Sequence, residues 1–590
     1  LLEGMEPEIE ELCSKRRKAR LRIVNKTTSQ SDVKEYRNLN KQVKKAVKRI
    51  KEENLEKKVL KLEDDFKKNN SRNLFRTVRE LEGKPKKALA LAKDKKGNLH
   101  SQMNKVLQCW EDHFKIHLNS TFQHDPAAIN DIPDPPNNFS EEPPITRDEI
   151  REAVRSMKNG KSAGIDEITT EVIKAAGEPM IAMLDKISTK VWNEEKSPKD
   201  WSRMLVAPIH KKGDKRDPAN YRAIALLSIP GKIFLRVLLN RMKYKIEEKI
   251  KETQYGFRPG RGTVDAIFIV RQIMEKAKER RISLHFNFID FKAAFDTIWR
   301  KALWKMLRSI GVGKKIVNII EQLYDETECA VIINGHLTDW FEVKVGVRQG
   351  CLLSPVLFNL FLEFVMNEIS SLQNELQLNH DMTIDTKYAD DTTLISAIFE
   401  KLKIATGELE TSCKKWGMKV NPDKCKIISP DIGDIHIDGS IVGKVEKFTF
   451  LGSVVPESSS DVKRRIGLAS SAFGRLKEKI WSRKDISMKL KIPLYNALII
   501  PIATYASEMW TILRDDERRL NVFEMRCLRS ILGITLRDRI RNDDIKQELN
   551  IEKNIIDIIR TKRMKWFGHV CRLASSSYVK TAFKKDFVGK

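Results

Sequence analysis

At 590 residues the chain is longer than one hydrophobic core organises, so three or more domains or subdomains are expected. Lys plus Arg outnumber Asp plus Glu by 109 to 81, a formal charge of +28, which asks for a polyanionic partner and favours nucleic acid over a membrane surface. The 8 cysteines include no Cys-x-x-Cys pair and fit no standard zinc knuckle; they argue against a disulfide framework and suit a reducing compartment.

Residue 1 is Leu rather than Met and no signal-peptide pattern opens the sequence, so the chain is expected to be a piece of a longer reading frame. The first hundred residues hold nearly half of the excess charge. Within them Tyr36, Leu39, Val43, Val47 and Ile50 recur at steps of three and four, predicting an amphipathic helix with a Lys/Arg outer face. Such an arm reads equally as a solvated linker or as a nucleic-acid contact. Five prolines over residues 131–144 forbid a helix or central strand and mark a domain boundary. Thr146 to Glu149 then spells a capping box, with Ile145 and Ile150 set for a hydrophobic staple. The helix so opened buries Ile150, Val154 and Met157 and stops at Gly160.

A short strand over 204–209 leads into Lys211-Lys212-Gly213-Asp214, and Asn220-Tyr221-Arg222 closes that segment as a basic hairpin. Residues 255–263, Tyr-Gly-Phe-Arg-Pro-Gly-Arg-Gly-Thr, interleave glycine, arginine and aromatics ahead of an apolar helix. Residues 282–289 are rich in β-formers and deliver Asp290. Strict alternation would set that acid on the face of Phe286 and Phe288, so the strand is expected to end or bend there. The apolar run 352–366 is too short and too interrupted to span a membrane and reads as a core helix with Ser354 as N-cap and Pro355 in its first turn. Residues 382–388 and 392–398 form a hairpin with Asp390 and Asp391 at its tip. From Ser460 onward Val462, Ile466, Ala469, Phe473, Leu476 and Ile480 make a helical stripe, with Lys463, Arg464, Lys477 and Lys479 opposite; 511–590 is again basic and helical.

An acid at a strand end beside two at a neighbouring hairpin tip can cluster carboxylate oxygens as hard divalent cations require, the arrangement that serves in-line phosphoryl transfer. The box at Tyr388-Ala389-Asp390-Asp391, the box from Phe288 to Asp296 and the run from Gly346 to Pro355 resemble the C, A and B blocks of reverse transcriptases, and they occur in the family's order. The resemblance is closest to non-LTR (LINE-type) retrotransposon enzymes and runs from about Ile145 to the C-terminus.

That resemblance implies an α+β right-hand polymerase. Fingers would begin the reverse transcriptase domain over 145–280, and a palm with a small antiparallel sheet would span 281–453. A helical thumb would follow over 454–510. Around these lie a basic helical arm (1–130), the Pro-rich linker (131–144) and a basic helical C-terminal region (511–590). The implied activity is RNA-directed DNA polymerase, with Asp290, Asp390 and Asp391 holding two Mg2+ ions, or Mn2+ in their place. By the same resemblance Lys211 and Arg222 hold the incoming triphosphate, although Ala223 stands where the family commonly has Pro. Phe295 is the gate beneath the sugar, Gln349 and Gly350 press on the nucleotide, and Lys424 is the candidate proton donor to pyrophosphate. Arg258 and Arg261 lie along template or primer, and Phe450, Leu451 and Gly452 form the primer grip. The implied partners are an RNA template, a DNA primer or target DNA and dNTPs, with no membrane, in nucleus and cytoplasm. The resemblance would place an endonuclease before the basic arm; no carboxylate and histidine constellation for it stands in this sequence, so nicking activity is not expected of it. The alternatives are a silent or domesticated RNA-binding copy, or another polymerase: a telomerase, intron-maturase or viral RNA polymerase relative.

Overall fold

The computed structural model describes residues 7–24, 30–68, 70–82, 91–136, 142–373 and 376–587. They fall into two compact units. One comprises Leu1–Lys86, Ser459–Ser507 and Thr511–Lys562; the other comprises Lys87–Ser458, Glu508–Trp510 and Arg563–Lys590.

The larger unit is built on two five-stranded sheets. In the first, the strand order is Gly443–Lys444, Lys426–Ile428, His285–Ile289, Asp391–Ser396, Thr383–Tyr388. Its central strand, His285–Ile289, is buried at every position, which suits its aromatic and β-branched content. Phe286 and Phe288 share one face, where the Phe288 ring stacks on Phe448 with centroids 4.2 Å apart. On the other face Asn287 Nδ2 donates to Thr406 Oγ1 at 3.0 Å, tying the strand to helix Phe399–Lys415. The strand stops at Ile289, one residue short of Asp290, so the expected break is there.

Antiparallel pairing sets Ile289 opposite Thr392 and Tyr388 opposite Asp391. Continued one step, that register brings Asp290 and the hairpin tip to the same end of the sheet. A buried ion cluster braces the outer strand, with Lys387 Nζ 2.6 Å from Asp385 and 3.4 Å from Glu363 of helix Ser354–Asn367. That helix starts at Ser354 with Pro355 in its first turn, but Ser354 caps no backbone N–H. Its hydroxyl donates instead to the Arg348 carbonyl, holding the preceding loop, and Leu353 occupies the capping position.

The second sheet pairs Arg203–His210 antiparallel with Tyr221–Leu226 and parallel with Glu328–Ile333, so the basic hairpin is anchored at its base. Helix Met103–His117 packs on this sheet through Trp110, whose ring meets Tyr221 edge-on at 4.8 Å. Residues 91–130 therefore share a unit with the hairpin, because Val106, Trp110 and Phe114 give that helix an apolar face at steps of four. The sequence grouped them with the basic arm. The proline-rich stretch likewise has both flanks in one unit. Its residues 137–141 lie outside the described residues; of the rest, Ile132 is buried, and the carbonyls of Pro143 and Pro144 accept from Arg241 at 2.6 and 2.8 Å. The capping box at Thr146 and Glu149 forms as expected and opens helix Arg147–Ser156.

The smaller unit is helical. Helices Pro7–Val24 and Gln30–Lys67 pack together, and Ser71–Leu81 packs on the second of them. From the later part of the chain come Ser458–Leu476, a π-helical turn Lys477–Trp481, Met488–Leu498 and Arg514–Leu532. Val462, Ala469, Phe473, Leu476 and Ile480 are buried, while Lys463 and Lys477 are exposed. Among the described residues no helix is long and apolar enough to cross a membrane.

Candidate functional site

The tip of the acidic hairpin is a two-residue turn, Ala389-Asp390, between the paired Tyr388 and Asp391. Ala389 takes φ +57°, a left-handed conformation rare for a residue with a Cβ. The neighbouring acid is held by the distant segment 421–425. Asp290 accepts a hydrogen bond from the Asn421 amide nitrogen at its carbonyl (2.7 Å), and its Oδ2 accepts from Asn421 Nδ2 (3.2 Å) and Lys424 Nζ (3.0 Å). The Asp290 N–H in turn points at the buried Cys425 sulfur, 3.3 Å away.

Two of the three carboxylates are shifted by their acidic neighbours. Burial, then the charge of Asp290, raises Asp390 above the ordinary carboxylate range. Asp391 is exposed as a residue, yet crowding by protein atoms and then the charges of Asp390 and Asp290 push its carboxyl up to about 6. The opposing pull comes from Arg222, joined at Asp390 by Lys424. As the side chains stand, no three His, Cys, Asp or Glu among the described residues gather closely enough to hold a metal ion. The Oδ2 of Asp290 faces Lys424 instead. Mutually repelling acids with incomplete compensation are nonetheless the donor set a hard divalent cation neutralises.

Across from the acids stands the basic hairpin. Arg222 pairs with Ile209 in the ladder, and the Lys211 N–H donates to the Asn220 carbonyl at 2.8 Å, closing the turn. Burial and then the charge of Arg222 lower the Lys211 ammonium, with Asp296 and Lys424 also within electrostatic reach. Lys211 and Arg222 are both exposed. The structure thus gathers Asp290, Asp390, Asp391, Lys211, Arg222 and Lys424 in one electrostatic neighbourhood.

Gln349 and Gly350 border it. The Gln349 carbonyl accepts from the Ala225 N–H at 2.7 Å, and its Nε2 donates to both oxygens of the buried Asp296 at 2.9 Å. At Gly350, φ is +111° and an added Cβ would stand 2.8 Å from the Ala225 carbonyl oxygen, so only glycine lets this loop dock on the hairpin strand. Phe295 is half-buried, stacked on Phe358 at 4.3 Å and edge-on to Phe257 at 6.3 Å.

Other expected contacts are turned inward. Arg258 is buried, donating to Glu247 (2.6 Å) and to the carbonyls of Lys251 (2.8 Å) and Gln254 (3.1 Å). Arg261 donates to Glu252 and lies over the Tyr255 ring. Both arginines brace the Gly-Phe-Arg-Pro-Gly loop. Phe450 is buried, and Leu451 and Gly452, both with positive φ, make the turn between Phe448–Phe450 and Ser453–Val455.

Sequence reasoning missed Arg271 and Arg300. Arg271, buried in helix Thr263–Glu279, donates to Ser453 Oγ, Ser458 Oγ and the Val454 carbonyl, which fixes the 448–455 hairpin. Its signal was a single cation inside the apolar run 266–273. Arg300 is buried against four carbonyls, those of Tyr324, Val343, Val345 and Gly346, and nothing local in sequence marks it.

Residues 209–455, which carry all three acids and the basic hairpin's Arg222, match the family described as reverse transcriptase (RNA-dependent DNA polymerase). The chain is 25% identical over 72% of its length to the RNA-directed DNA polymerase from mobile element jockey of Drosophila funebris, covering 47% of that protein. It is 28% identical over 62% of its length to the transposon TX1 uncharacterized 149 kDa protein of Xenopus laevis, covering 28%. It is also 24% identical over 60% of its length to the Pol polyprotein of type-1 retrotransposable element R2 from Nasonia vitripennis, covering 33%. The chain spans about half or less of the length of these curated relatives. Among solved structures, apo telomerase from Candida tropicalis aligns with 73% of this chain and 77% of that one at 13% identity and a TM-score of 0.33, too loose a likeness to bear on the site. Residues 209–455 thus carry a reverse transcriptase domain, and the relatives matched across it are proteins of transposons, mobile elements and retrotransposable elements.

Proposed function

We propose that this chain extends a DNA primer along an RNA template from dNTPs, as a nucleotidyltransferase. The observation that carries the reading is the convergence of Asp290, Asp390 and Asp391 at one sheet end, electrostatically coupled to Arg222 of the basic hairpin. In this reading the basic hairpin belongs to the fingers, the acidic sheet is the palm, and the helical stretch 454–510 is the thumb.

Asp290, Asp390 and Asp391 would hold Mg2+, with Asp290 exchanging Lys424 for the ion. Bound there, divalent cations would lower the pKa of the primer 3′-hydroxyl and neutralise the triphosphate. Arg222 offers a fork to phosphate oxygens and Lys211 a point charge. Lys424, released from Asp290, is positioned to give a proton to departing pyrophosphate. Gln349, fixed on Asp296, and Gly350 present a rigid backbone edge to the incoming nucleotide, and Phe295 lies below its sugar. Positioning and charge stabilisation supply the catalysis, with no covalent intermediate. The net charge of +28 suits a nucleic-acid partner met in the nucleus or cytoplasm. Primer extension with an RNA template, a DNA primer, dNTPs and Mg2+ tests this: templated extension is expected. Its absence, or equal extension by the Asp390→Asn variant, overturns the reading.

A further inference from the structure

Gln254 has no place in the motif reading, and it is 1% exposed. It lies in a short segment that runs along the outer edge of the acidic hairpin. There the Tyr255 N–H donates to the Lys387 carbonyl and the Lys387 N–H to the Thr253 carbonyl, each at 2.8 Å, and Gln254 forms a parallel bridge with Lys387. From this edge its side-chain amide reaches the hairpin tip. Oε1 accepts from the Ala389 N–H at 2.8 Å and from the Gly256 N–H at 2.8 Å, while Nε2 donates to the Ala389 carbonyl at 3.3 Å. One side chain therefore satisfies both backbone polar groups of the residue that precedes the paired acids.

Ala389 needs that hold. With φ +57° it sits in a conformation its Cβ disfavours, and no glycine has been used there. The approach beneath it is equally specific: a Cβ on Gly256 would stand 2.2 Å from the Ala389 nitrogen, so the segment comes close only because residue 256 is glycine. Gly256 is fixed from the far side, its carbonyl accepting from Asn359 Nδ2 of helix Ser354–Asn367 at 2.8 Å. Since the φ and ψ of Ala389 set where Asp390 and Asp391 project, the tip is aimed by a buried amide anchored to the core helix.

We propose that Gln254 is a positioning residue that locks Ala389 in its left-handed conformation and thereby aims the Asp390 and Asp391 carboxylates. The inference rests on the polymerase reading for its kinetic consequence but not for its structural one. A primary amide is the side chain that presents an acceptor and a donor side by side, matching the N–H and C=O of one residue. Losing it would leave two buried backbone groups unpaired at the one turn whose geometry the chemistry uses.

The test takes Gln254→Met, close in shape without hydrogen bonds, alone and together with Ala389→Gly, in the intact chain. Hydrogen exchange in peptides covering residues 384–396 should quicken at least about tenfold in Gln254→Met, while peptides from helix Ser354–Asn367 stay protected. In primer extension kcat should fall at least about tenfold, with KM for dNTP and template affinity within about threefold. Ala389→Gly should recover part of that kcat, because glycine adopts the left-handed turn without enforcement. Unchanged tip exchange in Gln254→Met overturns the inference, whatever the activity. A loosened tip with no loss of kcat overturns its aiming role. If the parent chain does not extend primers but the tip loosens as described, the polymerase reading fails while the clamp stands. Should Gln254→Met unfold, Gln254→Glu, which keeps the Oε1 acceptor, takes its place. Slower tip exchange in Gln254→Glu with Ala389→Gly than in Gln254→Glu alone would support the clamp, and equal exchange would overturn it.

Discussion

Lys424 Nζ stands 3.0 Å from Asp290 Oδ2, so one acid of the site already carries a cation supplied by its own chain. The pair is partly open to solvent, with side-chain exposures of 58% and 34%, so its worth is modest, on the order of 1 kcal/mol or less. A divalent cation binding Asp290 must displace it. Lys424→Gln is therefore expected to tighten Mn2+ binding by up to about fivefold, read by titration of the electron paramagnetic signal of free Mn2+. Weaker Mn2+ binding in the variant would mean that Lys424 supports the ion site rather than competing with it.

Asp390→Asn removes one charge from the repelling trio without changing its size. Nucleotide incorporation should drop at least about a hundredfold, because a lost carboxylate weakens charge stabilisation made in the transition state. Template affinity, spread over many Lys and Arg, should move less than about threefold. The comparison is single-turnover extension against filter binding at one salt concentration.

The acidic hairpin and the end of the central strand at Asp290 were legible because period-two patterning and β-forming residues mark strands regardless of tertiary context. The basic hairpin was legible for the same reason, as was the capping box at Thr146. Side-chain bookkeeping inside the molecule was not. Arg258 is set along template or primer by resemblance alone, and the sequence does not show that its guanidinium turns back onto Glu247 and two carbonyls of the segment just before it. Helix Met103–His117 does not stand apart from the basic arm in the sequence, because charge counted over a long window hides one apolar face, and Tyr221, its partner, is over a hundred residues away. Ser354 had the residue type of an N-cap, but its hydroxyl was claimed by the Arg348 carbonyl. Gln254 has no local signature, since its meaning lies in a turn 135 residues distant.

In the helical unit, Glu524 is 2% exposed and burial pushes its carboxyl up to about 7 from an ordinary 4.5. Its Oε1 accepts from the Ile555 N–H at 2.9 Å, at the start of helix Ile555–Arg572. The folded state holds this proton more tightly than the unfolded chain. Its stabilising share is full below about 4.5, declines as pH rises, and is gone above about 7, a swing of up to about 3 kcal/mol. Glu524→Gln keeps the acceptor and removes the titration. The variant should match the parent in urea unfolding at pH 4 and exceed it at pH 8, with hydrogen exchange across helix Arg514–Leu532 reporting the same difference. Equal stability at pH 8 would mean that Glu524 is solvated as an anion.

Phe295 is the residue on which sugar choice should turn. Its ring is half-buried, stacked on Phe358 and edge-on to Phe257, so it is braced from two sides and cannot yield easily to an added atom. Its carbonyl accepts from the Val347 N–H at 2.8 Å, which ties its backbone to the loop bearing Gln349 and Gly350. A ribonucleotide differs from a deoxyribonucleotide at this level only in its 2′-hydroxyl. With its edge beneath C2′, the position proposed for it, the braced ring would leave that oxygen neither volume nor a hydrogen-bond partner, so ribose would meet both a clash and an unmet polar burial. Valine in place of the ring opens the space. Phe295→Val is accordingly expected to raise ribonucleotide over deoxyribonucleotide incorporation at least about tenfold, equivalent to about 1.4 kcal/mol of lost discrimination. Lost stacking should also lower stability by roughly 1 kcal/mol or more, which acts on both sugars alike and cancels from the ratio. Competitive single-nucleotide insertion measures that ratio directly. If it is unchanged while both rates fall together, Phe295 serves only to support Phe358 and the core behind it.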